Sequence, residues 1–415
     1  MEDRETTGFF MTTPLYVVIF IGFLGYSLTI TILTPMILND SGGLLASLPL
    51  KADRLIVLGL VLALYPLGQF FGSPVLGSLS DRFGRRPVLL ISLLISTVCY
   101  GVFAYALMVR NLPLFMIVSF VIGLSESNIA IAQSAIADLS TARNRTRLFA
   151  YINLSASSAF VIGPLAGGIL ADQNIVRWFS YDTPYWAVCF LLFCTLIFTA
   201  TVFSETRPPD SRRVVRYREA ITNLLTVFAR GKLRAVYLVN FLIYFAIFGF
   251  FRSFPMYLVD EYGMGVSQVS KFIAWNALPV VIASLWLAGH LANHYSPRSI
   301  TAYSSILFGV SALLVIIPEP VSALWVTLFL PGLALAVALP ACTAMLSLMV
   351  GGAEQGKVLG NNLSLEVGAE VLSGLAAGFL AAYMIELPMG IVAAVAITAG
   401  LILVLVNGKC GDTNP

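Results

Sequence analysis

The feature that most constrains this chain is an apolar, nearly uncharged run of membrane-crossing length that returns twelve times between residues 14 and 406. The runs cover 14–38, 55–79, 88–109, 112–137, 148–171, 184–203, 235–258, 268–292, 299–317, 321–349, 358–384 and 387–406. Each lies near the ~20 residues that carry a helix across ~30 Å of hydrocarbon. In that solvent every backbone N–H and C=O must find a partner inside the protein, which leaves helices or closed barrels. Barrel strands are ~10 residues long and alternate apolar with polar side chains. These runs are continuous, so the expected class is an all-α integral membrane protein. Only 11% of its residues are charged, against ~25% in a soluble domain. The first run exceeds the ~7–15 residue core of a cleavable signal and is expected to persist as a helix.

The distribution of positive charge orients the runs. With the N-terminus inside, eighteen Lys and Arg residues fall in inner segments, among them Arg82, Arg85, Arg86, Arg143, Arg147, Arg212, Arg213, Arg298 and Lys357. Only Lys51, Arg54, Arg110 and Arg177 fall outside. Positive residues resist translocation, so both termini are expected in the cytoplasm. This sorting by side leaves no continuous basic face, and no nucleic-acid partner is expected. The longest polar stretch, 204–234, becomes a basic cytoplasmic linker between a six-helix unit at 1–203 and another at 235–415 with a short tail.

Repeats support that division. Residues 77–86 (GSLSDRFGRR) are echoed by 289–298 (GHLANHYSPR), each between the second and third runs of its half. Arg147-Leu148-Phe149-Ala150 is echoed by Lys357-Val358-Leu359-Gly360, and 165–170 (LAGGIL) by 375–380 (LAAGFL). Echoes at nearly one spacing argue for a duplicated six-helix unit in parallel orientation.

The segment Gly77, Asp81, Arg82, Gly84, Arg85 and Arg86 fits the pattern G-x-L-[SA]-D-R-x-G-R-[RK] at every defined position. On this motif the chain resembles the major facilitator superfamily, and within it the drug:proton antiporter group that includes the tetracycline exporters. The resemblance spans the chain and implies the MFS fold of two pseudo-symmetric six-helix bundles around a central site. It implies a conformational latch in which Asp81 meets the start of the eleventh helix, near Gly356 to Gly360, and a loop arginine meets Asp138. Independently, Gly77 is expected to permit close helix approach and Asp81 to face a helix N-terminus or an arginine. Gly163, Pro164, Gly167 and Gly168 in the fifth run look like the antiporter signature of the family, with Ala159 where its first glycine is usual. Proline removes a backbone hydrogen bond there and the glycines admit a close neighbour. Ser119 stands where the family pattern has an arginine, and the first run carries no acid before Asp40. The coupling groups must therefore be sought elsewhere.

Ionisable residues inside spans are costly and mark solute or proton paths. Glu126 sits near the centre of the fourth run, on a stripe with Ser119 and Gln133. Asn362, Glu366 and Glu370 share one face of the eleventh. Carboxylates one turn apart repel, and their protons leave in coupled steps. Glu126, Glu366 and Glu370 are the candidate proton-coupling residues. Arg252 in the seventh run is open to three roles: partner of an acid, anchor of an anionic solute group, or a side chain reaching outward to the interface. Tyr26, Asn153, Asn240, Tyr244, Phe251 and Asn362 complete the candidate substrate wall with it.

Other signals exclude classes. Gly351 to Val358 nearly spells a P-loop, but Val358 replaces the Ser or Thr needed for Mg²⁺ and no strand precedes it. His290 and His294 have metal-ligand spacing without an adjoining glutamate, so no metal is expected. Neither G-x-S-x-G nor H-E-x-x-H occurs, which argues against an enzyme, and no cofactor is expected. The expected function is proton-coupled antiport exporting a small organic solute, by a monomer in a bacterial cytoplasmic membrane. Import of a nutrient or siderophore-like anion anchored on Arg252 is the alternative, and a receptor or channel is the rival of another class.

Overall fold

The computed structural model describes residues 2–39, 50–140, 144–206, 231–317, 320–350 and 352–406. Most of the expected linker (207–230), the C-terminal tail and Arg143 lie outside the described residues. Side chains at 352–357, at the expected meeting point of Asp81, lie outside them too. Among the described residues, twelve helices are long and apolar enough to cross a membrane, and no strand occurs.

The first half of the chain supplies α1 (Glu2–Asn39), α2 (Lys51–Phe83), α3 (Arg85–Met108), α4 (Leu112–Glu126), α5 (Asn128–Leu139), α6 (Arg145–Leu170) and α7 (Thr183–Val202). The second supplies α8 (Gly231–Tyr262), α9 (Val266–Leu285), α10 (Leu287–His294), α11 (Pro297–Ile316), α12 (Leu324–Thr327), α13 (Phe329–Leu348), α14 (Gly352–Tyr383) and α15 (Leu387–Val406). Prolines stand inside α1, α2, α6, α8, α9 and α13. Membrane helices tolerate them because neighbouring groups satisfy the freed carbonyls.

Three expected elements differ in detail. The fourth run is broken at Ser127, whose ψ of −5° departs from the helical value of about −42°. Its hydroxyl bonds to the Gly123 carbonyl at 3.2 Å, the back-bonding that bends helices. Ser119 and Glu126 therefore share α4, while Gln133 lies on α5. The eighth run ends at Trp286 (φ −125°, ψ −53°), beyond which α10 carries both histidines. The segment 77–86, expected as a loop, is helical through Phe83, and the turn is confined to Gly84 at φ 100°.

Two compact units result. One holds Met1–Pro49, Leu64–Glu219 and Gly265–Lys271, and the other Leu50–Ala63, Ala220–Met264 and Phe272–Pro415. Within the first, α1 packs on α6 and α7, and α3 on α7 and α4. Within the second, α8 packs on α14 and α15, and α11 on α15 and α13. Taken in chain order these are the same pairings, made twice. Duplication of a six-span unit accounts for this, because each repeat inherits the same apolar and small-residue faces. Between α11 and α15 the approach is close: a Cβ on Gly309 would stand 2.7 Å from the Ala393 carbonyl oxygen, and one on Gly400 2.6 Å from that of Ala302. Small residues at such crossings are how membrane helices gain contact where lipid offers no hydrophobic drive.

Candidate functional site

In the first unit, α2 and α4 cross where glycine faces glycine. A Cβ on Gly68 would lie 2.8 Å from the Leu124 amide nitrogen and 3.0 Å from the Gly123 Cα. This approach brings Tyr65 to Glu126, the last residue of α4, which is 1% exposed. The Tyr65 hydroxyl donates to Glu126 Oε2 at 2.6 Å, and Gln69, one turn along α2, donates to the Tyr65 oxygen at 3.0 Å. The Tyr26 ring stacks on Tyr65 at 4.8 Å between centroids, and Phe160 of α6 meets Tyr26 edge-on. No Lys, Arg or His pairs with Glu126 among the described residues. The site therefore offers a shielded carboxylate beside an aromatic wall, a pairing suited to moving a proton next to a planar solute.

Tyr26 and Glu126 were expected from sequence; Tyr65, which joins them, and Gln69 were not. Their signal was present as two polar residues one turn apart in the apolar run 55–79. Asn153 is exposed on α6 and belongs to no such cluster.

The second unit carries another charged cluster. Arg252 Nη2 of α8 stands 3.0 Å from Glu370 Oε1 of α14, the two side chains being 1% and 8% exposed. The same nitrogen points to the Leu62 carbonyl at 3.5 Å. Gly374 leaves room for the guanidinium, since a Cβ there would lie 3.1 Å from Arg252 Nε. Of the three roles open to Arg252, the structure shows pairing with an acid, not an outward reach to the interface. Glu366, one turn from Glu370, is half-buried and has no cationic partner among the described residues. Nearby, Asn240 donates to Asn362 Oδ1 at 3.0 Å and to the Cys342 carbonyl at 3.3 Å. Asn362 donates to the Tyr244 hydroxyl at 2.8 Å. These three residues are buried and brace α8 against α14. The Phe251 ring lies edge-on to Phe250 and Phe254.

At the junction of α2 and α3, Arg85 is 5% exposed and gathers three partners. Its guanidinium reaches Asp81 at 2.8 Å, Asp138 at 3.2 Å and the Ser80 hydroxyl at 2.6 Å. Arg86 Nη2 donates to the Ala200 carbonyl at 2.7 Å, and Arg82 lies over the Phe83 ring at 5.3 Å. Among the described residues Gly77 makes no close approach, since a Cβ there would meet no described atom within 4 Å. In α6 the small residues do make contact. A Cβ on Gly163 would be 3.0 Å from the Leu24 carbonyl oxygen, and one on Gly167 3.1 Å from Leu28 Cβ. Gly168 abuts Ser270, where a Cβ would fall 2.6 Å from the serine Cβ. Pro164 stands inside this helix, and the Ser27 hydroxyl donates to the Ala159 carbonyl at 3.0 Å.

Comparison with known proteins gives a consistent result. The sequence model of the family described as Major Facilitator Superfamily matches residues 15–274 and 236–409. The chain is 28% identical over 335 residues to the tetracycline resistance protein, class H, of Pasteurella multocida, covering 79% of this chain and 80% of that one. It is 26% identical over 352 residues to multidrug resistance protein 2 of Bacillus subtilis, covering 83% and 82% respectively. Its fold matches the crystal structure of the human organic anion transporter MFSD10 (TETRAN) with a TM-score of 0.70 at 20% identity, over 95% of this chain and 99% of that one.

Proposed function

The chain belongs to the Major Facilitator Superfamily, and we propose that this multi-pass membrane transporter is a proton-coupled antiporter exporting a small organic solute by alternating access. The observation that carries this reading is Glu126: a carboxylate 1% exposed inside a span, held by Tyr65, with no cationic side chain paired to it among the described residues. A permanent charge at such a place is costly, whereas a group that gains and loses a proton fits both the burial and the cycle. The Gln69–Tyr65–Glu126 chain of hydrogen bonds orients the carboxyl group, and Tyr26, Tyr65 and Phe160 supply a flat apolar wall for a ring-bearing solute. Glu366 provides a second exchangeable carboxylate, next to the Arg252–Glu370 pair. The similarity to tetracycline and multidrug resistance proteins supports export and an organic solute.

In this cycle the six-helix halves, 1–203 and 235–415, rock about a central site, and the linker 204–234 joins them on the cytoplasmic side. The Asp81–Arg85–Asp138 cluster is the latch that closes the cytoplasmic side when the site faces outward. The Gly163-Pro164 and Gly167-Gly168 pairs let α6 bear closely on its neighbours as the halves move. Anion import would need Arg252 to offer its charge to a solute, and in the structure Glu370 engages that charge.

Purified protein in liposomes with an imposed pH gradient tests the reading. Candidate ring-bearing solutes should accumulate against their own gradient in exchange for protons, and Glu126→Gln should abolish uphill accumulation while retaining downhill exchange. Wild-type accumulation in that variant would remove Glu126 from the proton path. Flux indifferent to the pH gradient would favour a channel or an uncoupled carrier.

A further inference from the structure

The first backbone N–H groups of a helix have no partner within it and need an acceptor from elsewhere. At the start of α3 the residue that would normally supply one is Gly84, which has no side chain and sits at φ 100°. The acceptor comes instead from the far end of the first six-span half. Glu205, three residues beyond α7, accepts the Arg85 amide at 2.8 Å through Oε1 and the Arg86 amide at 3.0 Å through Oε2. The Arg86 guanidinium in turn donates to the Ala200 carbonyl in the last turn of α7. Two helix ends thus satisfy each other: an acid of the α7 segment caps α3, and a base of α3 caps α7. Both charges have the sign that the helix dipoles favour. Phe203, 1% exposed, pins the segment between Ala200 and Glu205.

This joint fixes the backbone of Arg85, whose side chain then has one course, between Ser80, Asp81 and Asp138. We propose that Glu205 is the positioning residue of the cytoplasmic latch: by holding the Arg85 and Arg86 amides it places the Arg85 guanidinium between its two aspartates, and it ties the latch to the point where the chain leaves α7 for the linker. The proposal rests on the latch reading of the Asp81–Arg85–Asp138 cluster. Gly84 belongs to the same device. A Cβ there would stand 2.6 Å from Glu205 Oε2, so the absent side chain is what lets the carboxylate reach both amides.

The test is a double-mutant cycle on the full chain in lipid nanodiscs, with a fluorescent donor and acceptor on the inner ends of one helix from each half. The readouts are the rate of exchange between conformations and the thermal midpoint. Arg85→Ala and Asp138→Asn should each change the exchange rate, and Glu205→Gln should change it in the same direction by about fivefold, the size of a lost helix cap. Added to Arg85→Ala, Glu205→Gln should have almost no further effect on the rate, because it acts through that arginine. Additive effects, or an unchanged rate with only a lowered thermal midpoint, would make Glu205 a plain helix cap and overturn the proposal. If Glu205→Gln does not assemble, the same cycle with Glu205→Asp, one methylene shorter, is judged by the same criterion. Arg85→Ala and Asp138→Asn variants that both exchange at the wild-type rate would remove the latch reading, and the proposal with it.

Discussion

Two acids one helical turn apart on α14 stand in different electrostatic settings. Glu370 is paired with a buried guanidinium, and Glu366 is not. Removing one member of a buried ion pair leaves the other uncompensated, at a typical cost of 3–5 kcal/mol, while replacing both with apolar groups is close to neutral. Arg252→Met and Glu370→Met are therefore expected each to lower the thermal midpoint in detergent, and the double substitution to recover most of the loss. A loss in the double variant equal to the sum of the two single losses would show that the pair contributes nothing as a pair. Glu366→Gln breaks no ion pair among the described residues and is expected to leave the midpoint near wild type while weakening proton-driven accumulation. A wild-type pH-gradient response in that variant would assign the coupling to Glu126 alone. Tyr65→Phe removes the donor to Glu126 Oε2 without changing the stacked ring. It is expected to alter the pH dependence of transport more than solute affinity, which a pH series of initial rates would show.

Elements set these residues in place through close crossings. The α2–α4 approach depends on Gly123, where a Cβ would fall 2.9 Å from the Tyr65 carbonyl carbon and 3.1 Å from the Gly68 Cα. Those are backbone atoms of a neighbouring helix and give little. Gly123→Ala is expected to cost about 1–3 kcal/mol through overpacking and to impair transport by parting Tyr65 from Glu126. Gly289→Ala, where a Cβ meets nothing within 4 Å, is the matched control. It replaces a helical glycine of α10 and is expected to be neutral or to stabilise by up to ~1 kcal/mol. Equal thermal midpoints for the two variants would show that the α2–α4 crossing is more yielding than its geometry implies. The broken fourth span belongs to this scale as well. Ser127 bends the segment directly after Glu126, and a break beside this buried carboxylate gives it a backbone setting that a straight helix lacks. A single polar stripe through Ser119, Glu126 and Gln133 requires an unbroken helix, and the break at Ser127 sets Gln133 on a separate helix.

At the scale of the molecule, the proposed cycle has the two ends of the site open in turn, and its direction depends on the membrane orientation. The excess of Lys and Arg in alternate segments leads to the expectation that both termini lie inside. Single cysteines added at either end of a cysteine-free variant are expected to resist an impermeant thiol reagent in intact cells and to react in inverted vesicles. Labelling of either end from outside would reverse the topology, and with it the direction of export.

The sequence by itself determined the solvent of this protein, the number of its spans and the duplication of its two halves. These follow from length, apolarity and repetition, properties each segment carries regardless of its neighbours. It also marks Glu126, Glu366, Glu370 and Arg252 as charges inside spans, because a charge in an apolar run is visible without knowing what it faces. Tertiary structure alone decided the pairings: Tyr65 with Glu126, Arg252 with Glu370 rather than the interface, and Glu205 with the start of α3. Those contacts join residues dozens to more than a hundred positions apart, through helix crossings set by a few glycines. Composition records which groups are costly to bury, and only the packed helices determine which of them meet.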